Sequence, residues 1–411
     1  MRGGVMQLEL EQLVRALSST VDLVGVDEVQ HGKRVAYMSL RCGETMGFDE
    51  GEKTTCFRLG LLHDCGVSST KVHKNLVNDL EWENSDHHCA VGAERVSGID
   101  HLSSLAPPIR YHHSRWEELK DMDLPEDTKD RANLIFLLDR VDALVMGHPG
   151  KTRLAAADHI RYTVAKLKGS YFKPELVESF LQSAAAEEFW ITMEPLHLED
   201  YLRKKWQIQE QVTVSMEELQ EIAQVFAQIV DAKSQYTAEH STGVAAISRF
   251  LAESLGLDYE TVQKVEVAGL LHDLGKLQVP DLILDLNGQL EDEDLTTMRH
   301  HSYVTFQILR RIKGLEDVTI WAANHHEKLD GSGYPFKKKA ADLSLESRVV
   351  AVADIFQALA QNRPYRESQP LSQILSYLEK DAQNNKIDGD VVALVREHGS
   401  HCHRLATRPS Q

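Results

Sequence analysis

One spaced pattern of histidine and aspartate residues occurs twice in this 411-residue chain. Two intervals between histidines are identical in the two halves, one of 32 residues and one of 24. They run from His31 to His63 and from His240 to His272, and from His88 to His112 and from His301 to His325. Two further intervals differ by four and by two residues, which a loop can absorb. Such long-period similarity indicates the duplication of one structural unit.

The duplication predicts two domains. We expect an N-terminal domain over residues 1–210, a second domain over 211–400, and a flexible tail over 401–411, which is polar with mixed charge. Apolar residues recur at helical spacing over 7–24 and, more strongly, over 216–233. Each of these two stretches is predicted to be a packing helix.

Composition and charge narrow the class of protein. With 42% apolar and 26% charged residues, the chain has the balance of a soluble globular protein. Its apolar runs are short and its N-terminus lacks the blocks of a signal peptide, so we expect no membrane association and a cytoplasmic location. A net charge of −18 without a Lys/Arg-rich tract disfavours binding to long nucleic acid. Five cysteines without a CxxC pair predict reduced thiols.

The pattern itself points to metal chemistry. His272-Asp273 puts an imidazole and a carboxylate at one place, and His325-His326 can bring two more imidazoles to it. Lys276 follows on the same local turn. Because metal ions polarise phosphoryl oxygens and an ammonium offsets their negative charge, this combination suits an anionic phosphoester.

Several short motifs of the second half stand in a recognisable order. They are Tyr236-Thr237-Ala238-Glu239-His240-Ser241, His272-Asp273-Leu274-Gly275-Lys276, His301, His325-His326, Asp330-Gly331-Ser332-Gly333-Tyr334-Pro335, Val352-Ala353-Asp354 and Arg363-Pro364-Tyr365-Arg366. Over roughly residues 215–400 the chain resembles the HD-GYP class of HD-domain metal-dependent phosphohydrolases. The resemblance implies an all-α fold of tandem HD-domain helical bundles, the C-terminal one of HD-GYP type. It also implies hydrolysis of a cyclic dinucleotide, cyclic di-GMP or 3′,3′-cyclic GMP-AMP.

Site residues follow from the same resemblance. It implies two divalent metal ions, iron or manganese first with zinc, nickel and magnesium as alternatives, and Asp273 as the bridging ligand. The metal ligands implied are His240, His272, Asp273, His301, His325, His326 and Asp354. Asp273 and Lys276 are the expected catalytic residues, and Lys276, Tyr334, Arg363 and Arg366 the expected substrate contacts, although the two arginines could equally cap a helix end. A third metal is not expected, because Tyr236 replaces the glutamate that some relatives use.

The first half retains a matching ligand set but not the rest of the motif. Its counterparts are His31, His63, Asp64, His88, His112, His113 and Asp139. Ser114-Arg115-Trp116 follows His113 where a GYP loop would begin, and Val67 replaces the lysine. We expect metal binding here, with two roles left open. One is removal of the 5′-phosphate from the product of the other site, and the other is a regulatory or dimerising domain.

The sequence is therefore consistent with three functions. The leading one is a phosphodiesterase that opens a cyclic dinucleotide to a linear 5′-phosphorylated dinucleotide. The alternatives are a cyclic-dinucleotide receptor with weak catalysis and a general HD-type nucleotide phosphohydrolase. A homodimer and a partner of the diguanylate-cyclase type or another signalling protein are further hypotheses. One departure stands out, because Gln357 occupies a position that is usually acidic in the family.

Overall fold

The protein is described by a computed structural model over residues 5–23, 30–67, 85–147, 152–205, 211–233, 240–286, 288, 290–361 and 368–407. These residues are overwhelmingly helical, which confirms the all-α prediction. The chain divides into two compact units. The first unit is Leu10–Glu210, and the second unit is Met1–Glu9 together with Gln211–Gln411.

The first unit is a bundle of helices in its described residues. Its helices are α1 Leu10–Asp22, α2 His31–Met46, α3 Glu50–Leu62, α4 Ser85–Ser97, α5 Ala106–Arg110, α6 Trp116–Leu119, α7 Glu126–Met146, α8 Arg153–Lys166, α9 Pro174–Ser183, α10 Glu187–Thr192 and α11 Pro195–Lys205, with a 3₁₀ helix at Asp100–Leu105.

The second unit repeats this plan and adds a small sheet. Its strands are β1 Val5–Glu9 and β2 Gln211–Ser215, and its helices are α12 Met216–Asp231, α13 His240–Ser254, α14 Tyr259–Leu271, α15 Asp281–Leu284, α16 Asp292–Leu309, α17 Glu316–Ala323, α18 Leu345–Ala360, α19 Leu371–Gln383, α20 Gly389–Glu397 and α21 Gly399–Ala406, with 3₁₀ helices at Leu274–Gln278 and Ala340–Asp342. None of the helices in the described ranges combines the length and the hydropathy that crossing a bilayer requires.

The N-terminal residues depart from the predicted helix over 7–24. β1 pairs antiparallel with β2, with Gln7 opposite Thr213, and the helix α1 begins only at Leu10. Leu8 is buried, whereas Gln7 faces outward and donates from Nε2 to the Thr213 hydroxyl at 2.8 Å. This alternation is typical of a strand, and it places residues assigned to the first domain in the second unit.

The predicted helix over 216–233 is present as α12. A capping box starts it: Ser215 Oγ accepts from the Glu218 amide at 3.1 Å, and the Glu218 carboxylate accepts from the Ser215 amide at 2.6 Å. These two bonds satisfy amides that a helix start leaves free. The apolar stripe that predicted the helix, including Leu219, Ile222 and Phe226, is buried.

Glycines allow the site helices of both units to pack closely. A methyl group at Gly60 would lie 2.6 Å from the Ala36 backbone, and one at Gly269 would lie 2.8 Å from Ala245. These positions are equivalent in the duplicated pattern, three residues before His63 and His272. In both units the close crossing brings the first histidine beside the His-Asp pair.

The C-terminal residues correct the expectation of a flexible tail over 401–411. Helix α21 continues to Ala406, with Cys402 and Ala406 buried, and residues 408–411 lie outside the described part. The Phe250 ring of α13 lies 4.4 Å, centroid to centroid, from the ring of His401. The polar composition concealed buried apolar positions, so residues 401–406 pack on the bundle.

Candidate metal centres

Five segments of the second unit bring the seven expected ligands together. His240 begins α13, His272 and Asp273 follow the end of α14, and His301 lies within α16. His325 and His326 follow α17, and Asp354 lies within α18. The structure also places His301 inside and His300 outside, because His301 is 1% exposed while His300 is on the surface.

Asp273 lies between two pairs of imidazoles. Its Oδ2 faces the first pair, at 3.6 Å from His240 Nε2 and 3.1 Å from His272 Nε2. Its Oδ1 faces the second pair, at 3.5 Å from His301 Nε2 and 3.9 Å from His325 Nε2. Each carboxylate oxygen therefore serves a different set of nitrogen donors, which is the arrangement a bridging ligand requires.

Asp354 is the second carboxylate of the cluster. Its Oδ1 lies 3.2 Å from His240 Nε2 and its Oδ2 lies 3.8 Å from His326 Nδ1. Burial raises the pKa of both carboxyl groups, but the surrounding histidines, and Lys276 beside Asp273, hold each pKa well below its usual range. The two carboxylates are therefore ionised, as metal ligands must be.

Backbone carbonyls orient the imidazoles. The Nδ1 atoms of His272, His301 and His325 donate to the carbonyls of Gly269, Met298 and Ala322 at 2.7, 2.5 and 2.7 Å. Each bond fixes the tautomer whose Nε2 is a free electron-pair donor, a support that metal-bound histidines commonly have. Burial lowers the pKa of His301 to about 4 and that of His326 to about 3, so both rings are neutral at physiological pH.

The donor spacing fits metal ions. Two Nε2 atoms on one metal at tetrahedral angles and the usual 2.0–2.1 Å would lie about 3.3 Å apart. The observed separations are 3.3 Å for His240 and His272 and 3.2 Å for His301 and His325. Asp273 Oδ1 is buried and has no hydrogen-bond partner among the described residues. A buried anionic oxygen of this kind is stabilised by a cation.

Lys276 and Tyr334 flank this cluster. Lys276 lies in the 3₁₀ helix Leu274–Gln278, with Nζ 2.5 Å from Asp273 Oδ2. The Tyr334 ring lies 4.8 Å from that of His326, centroid to centroid, and its amide donates to the His326 carbonyl at 3.2 Å. The other expected substrate contacts, Arg363 and Arg366, lie outside the described residues, as does Tyr236.

A buried glutamate that sequence reasoning missed holds the tyrosine loop. Glu327 is 4% exposed and accepts hydrogen bonds from the backbone amides of Phe336 and Lys338, at 2.6 and 3.0 Å. The loop passes so close that a methyl group at Gly333 would lie 2.4 Å from the Lys328 amide nitrogen. The signal was a carboxylate directly after His325-His326, yet its loop partners are backbone groups, which no side-chain pattern marks.

The first unit brings its seven expected ligands into an equivalent cluster. Asp64 Oδ2 lies 3.6 and 3.5 Å from the Nε2 atoms of His31 and His63, and Oδ1 lies 3.5 and 3.7 Å from those of His88 and His112. Asp139 lies 3.4 Å from His31 Nε2 and 3.8 Å from His113 Nε2.

The surroundings of the two clusters differ. In the first unit, His31 Nδ1 donates to Asp142 at 2.7 Å, and Arg34 binds the same carboxylate. In the second unit, Gly243 and Gln357 occupy the positions that correspond to Arg34 and Asp142. Gln357 fills the space above Gly243, since a methyl group there would lie 2.3 Å from its amide. A charged pair in one unit is thus replaced by a neutral contact in the other.

Cys89 is a second group that sequence reasoning did not count as a donor. Its sulfur lies in the first cluster, beside His88 and His112. Burial raises the pKa of its thiol, but the two imidazoles outweigh this effect and lower the pKa to about 6. All five cysteines are free and buried in the structure.

Comparison with known proteins agrees with the duplicated architecture. Residues 29–144 and residues 224–391 each match the HD domain family. The chain therefore belongs to the class of proteins with two HD domains.

The relatives are cyclic-dinucleotide phosphodiesterases. Over 98% of its length the chain is 36% identical to 3′3′-cGAMP-specific phosphodiesterase 1 of Vibrio cholerae, of which it covers 95%. It is 32% identical to the cyclic di-GMP phosphodiesterase response regulator RpfG of Xanthomonas campestris, over 42% of this chain and 47% of that protein. The fold is similar to the crystal structure of a cyclic GMP-AMP specific phosphodiesterase of V. cholerae (V-cGAP3), with a TM-score of 0.63, 22% identity, and coverage of 96% of this chain and 98% of that one. The chain belongs to the HD-GYP family of phosphodiesterases.

Proposed function

We propose that the second unit hydrolyses 3′,3′-cyclic GMP-AMP to a linear 5′-phosphorylated dinucleotide, with cyclic di-GMP as the alternative substrate. The observation that carries this proposal is the position of Asp273 between two imidazole pairs, with the Lys276 ammonium beside it. The relative that matches nearly the whole chain acts on the hybrid nucleotide, which favours that substrate over cyclic di-GMP.

Two divalent metal ions, when bound, would act as Lewis acids toward the phosphoryl oxygens of the scissile diester. The residues that would hold them are Asp273 and the six other candidate ligands around it, His240, His272, His301, His325, His326 and Asp354. Their donor atoms are nitrogen and oxygen throughout, which suits iron, manganese or zinc. The family resemblance favours iron or manganese first, with zinc, nickel and magnesium as alternatives. The carbonyls of Gly269, Met298 and Ala322 keep three of the imidazoles in the ligating tautomer.

The remaining residues of the site act on the substrate. The Lys276 ammonium lies 2.5 Å from Asp273, so it would offset negative charge that grows on a phosphoryl oxygen of the substrate. Tyr334 lines the approach beside His326 and offers a ring face to a base. Arg363 and Arg366 complete the proposal as phosphate-binding residues, since a guanidinium can hold two phosphate oxygens at once.

The substrate assignment is tested by turnover. Manganese- or iron-loaded protein is incubated separately with the two cyclic dinucleotides, and the products are separated by chromatography. We expect faster conversion of cyclic GMP-AMP and a linear product with one 5′-phosphate. Faster conversion of cyclic di-GMP would reverse the preference. Binding of either nucleotide without turnover by metal-loaded protein would instead support a receptor.

For the first unit we propose removal of the 5′-phosphate from this linear product. The support is a complete ligand cluster, with Asp64 placed between two imidazole pairs as Asp273 is. Val67 replaces the lysine, but Arg140 supplies a buried cation whose Nη2 lies 2.8 Å from Asp139 Oδ2. Because the first unit lacks a GYP loop, we expect its site to suit a terminal phosphate group better than a cyclic dinucleotide.

This step is tested with the linear 5′-phosphorylated dinucleotide as the starting substrate. Release of inorganic phosphate by wild-type protein and its loss in Asp64→Ala are the expected results. The matched variant Asp273→Ala should still release phosphate. If Asp64→Ala releases phosphate at the wild-type rate, the first unit is regulatory or structural.

A further inference from the structure

Cys89 adds a sulfur donor to the cluster of the first unit. It lies in α4 directly after His88 and is 1% exposed. Its Sγ lies 3.7 Å from His88 Nε2 and 4.0 Å from His112 Nε2. Together with His113 these residues offer four donor atoms that all lie within 4.8 Å of one another.

The distances match one metal ion with mixed donors. With the usual bond lengths of about 2.3 Å to sulfur and 2.0–2.1 Å to nitrogen, tetrahedral angles place sulfur and nitrogen about 3.6 Å apart and two nitrogens about 3.3 Å apart. The sulfur–nitrogen separations of 3.7 and 4.0 Å and the His88–His112 separation of 3.3 Å are close to these values. The sulfur therefore lies where a further donor to the same metal ion is expected.

The second unit has no sulfur at the equivalent position. Ser302 follows His301 there, with its hydroxyl oxygen 3.2 Å from His301 Nε2. A neutral hydroxyl is a harder and weaker metal ligand than a thiolate. Each cluster has seven histidine and aspartate ligands at equivalent positions. Among the described residues, only the first cluster has a cysteine sulfur atom beside them.

A neighbouring cysteine provides a contrast within the first unit. Cys65 is adjacent to Asp64 and is equally buried, but its sulfur lies 3.4 Å from the Gly92 carbonyl oxygen, to which a thiol can donate. Its hydrogen bond is made to the backbone rather than to the ligand cluster. Cys65 is thus a matched control for Cys89.

We infer that Cys89 is a thiolate ligand of the first unit's metal centre, at the position served by His88, His112, His113 and Asp64. The thiol proton is released to solvent as the metal–sulfur bond forms. The centre then favours a thiophilic divalent cation, so its preference for zinc over manganese is stronger than that of the nitrogen and oxygen donors of the second unit. This assignment holds whichever reaction the first unit performs.

Cobalt substitution tests the assignment spectroscopically. The full-length protein is stripped of metal and titrated with Co²⁺, and the near-ultraviolet absorption that a cobalt–thiolate bond produces is recorded. We expect this absorption in wild-type protein, its loss in Cys89→Ser and its retention in Cys65→Ser. Its absence from cobalt-bound wild-type protein, or its retention in folded Cys89→Ser, would overturn the assignment.

A measurement on zinc-loaded protein needs no cysteine variant. X-ray absorption at the zinc edge of Asp273→Ala protein, in which the second centre is disabled, should show one sulfur neighbour at about 2.3 Å. A shell of nitrogen and oxygen alone would overturn the proposal even if Cys89→Ser does not fold. In folded Cys89→Ser we expect zinc affinity at this centre to fall by more than the roughly 10- to 100-fold that loss of a supporting partner costs.

Discussion

His31 Nδ1 lies 2.7 Å from Oδ2 of Asp142, a carboxylate that also binds the Arg34 guanidinium through Nε at 2.6 Å and Nη2 at 2.8 Å. The carboxylate turns the opposite ring nitrogen toward Asp64 and increases the basicity of the imidazole. Burial raises the pKa of Asp142, but Arg34 and His31 reverse the effect and hold that pKa well below its usual range.

We therefore expect Asp142→Asn to weaken metal binding by the first unit about 10- to 100-fold. The affinity is measured by metal titration in an Asp273→Ala background. Because Arg34 is buried and loses its anion, stability should fall as well, so the titration is done below the melting temperature of the variant. Gln357→Asn, at the equivalent position of the second unit, should leave this affinity unchanged. Equal affinities for Asp142→Asn and its parent would contradict the supporting role.

Gly275→Ala should disrupt the second centre. A methyl group at Gly275 would lie 2.0 Å from the His301 carbonyl oxygen and 2.9 Å from the Thr305 amide nitrogen, so α16 must move and carry His301 away from Asp273. We expect loss of one metal equivalent and of cyclic-dinucleotide hydrolysis. Gly288→Ala is the control, since a methyl group there meets nothing within 4 Å. Full metal content in Gly275→Ala would show that the helix packing tolerates the methyl group.

Glu327→Gln should loosen the loop that carries Tyr334. A carboxylate accepts from both the Phe336 and the Lys338 amides, whereas a side-chain amide can accept from only one and presents its NH₂ group to the other. The expected result is a higher KM for the cyclic dinucleotide with unchanged metal content. Asp342→Asn, in the exposed 3₁₀ helix that follows, serves as the control. A wild-type KM for Glu327→Gln would rule out the loop contact as a determinant of substrate binding.

His301 should lower the stability of the metal-free protein on mild acidification. Burial lowers the pKa of His301 from 6.5 in its ordinary state to about 4 in the folded chain. Between these values the unfolded chain binds a proton that the folded chain does not, so the free energy of unfolding falls as pH falls from about 6.5 to 4.

Comparison with His301→Gln isolates this group, because His272, whose pKa is raised, acts in the opposite direction. Denaturant unfolding of the metal-free proteins should show a shallower pH dependence for His301→Gln, by up to about 1.4 kcal/mol per pH unit. Identical slopes would mean that His301 is protonated in the folded chain.

The candidate metal ligands could be predicted from the sequence because they recur at regular spacing. The intervals of 32 and 24 residues aligned the two halves, and the matching residues that flank His88 and His301 favoured them over His87 and His300. The structure buries the chosen member of each pair. Those intervals reflect helix lengths and turns, which are local properties of the chain.

The long-range pairing of strands and the contacts to backbone groups could not be predicted from the sequence. β1 pairs with residues some 200 positions away, so its short alternating pattern was absorbed into the helix that follows. Glu327 makes its loop contacts with backbone amides, which carry no residue-type signal. The sequence offered no CxxC pair to mark Cys89 as a ligand, and only the fold brings its sulfur beside the imidazoles of His88 and His112.

The central claim is that the second unit opens the cyclic dinucleotide at the centre organised by Asp273. The most direct measurement compares ring opening by metal-loaded wild-type, Asp64→Ala and Asp273→Ala proteins, with the linear product quantified by chromatography and metal content determined on the same samples. We predict that Asp64→Ala opens the ring at the wild-type rate and that Asp273→Ala forms no linear product. Ring opening by Asp273→Ala, or its loss in Asp64→Ala alone, would contradict this account.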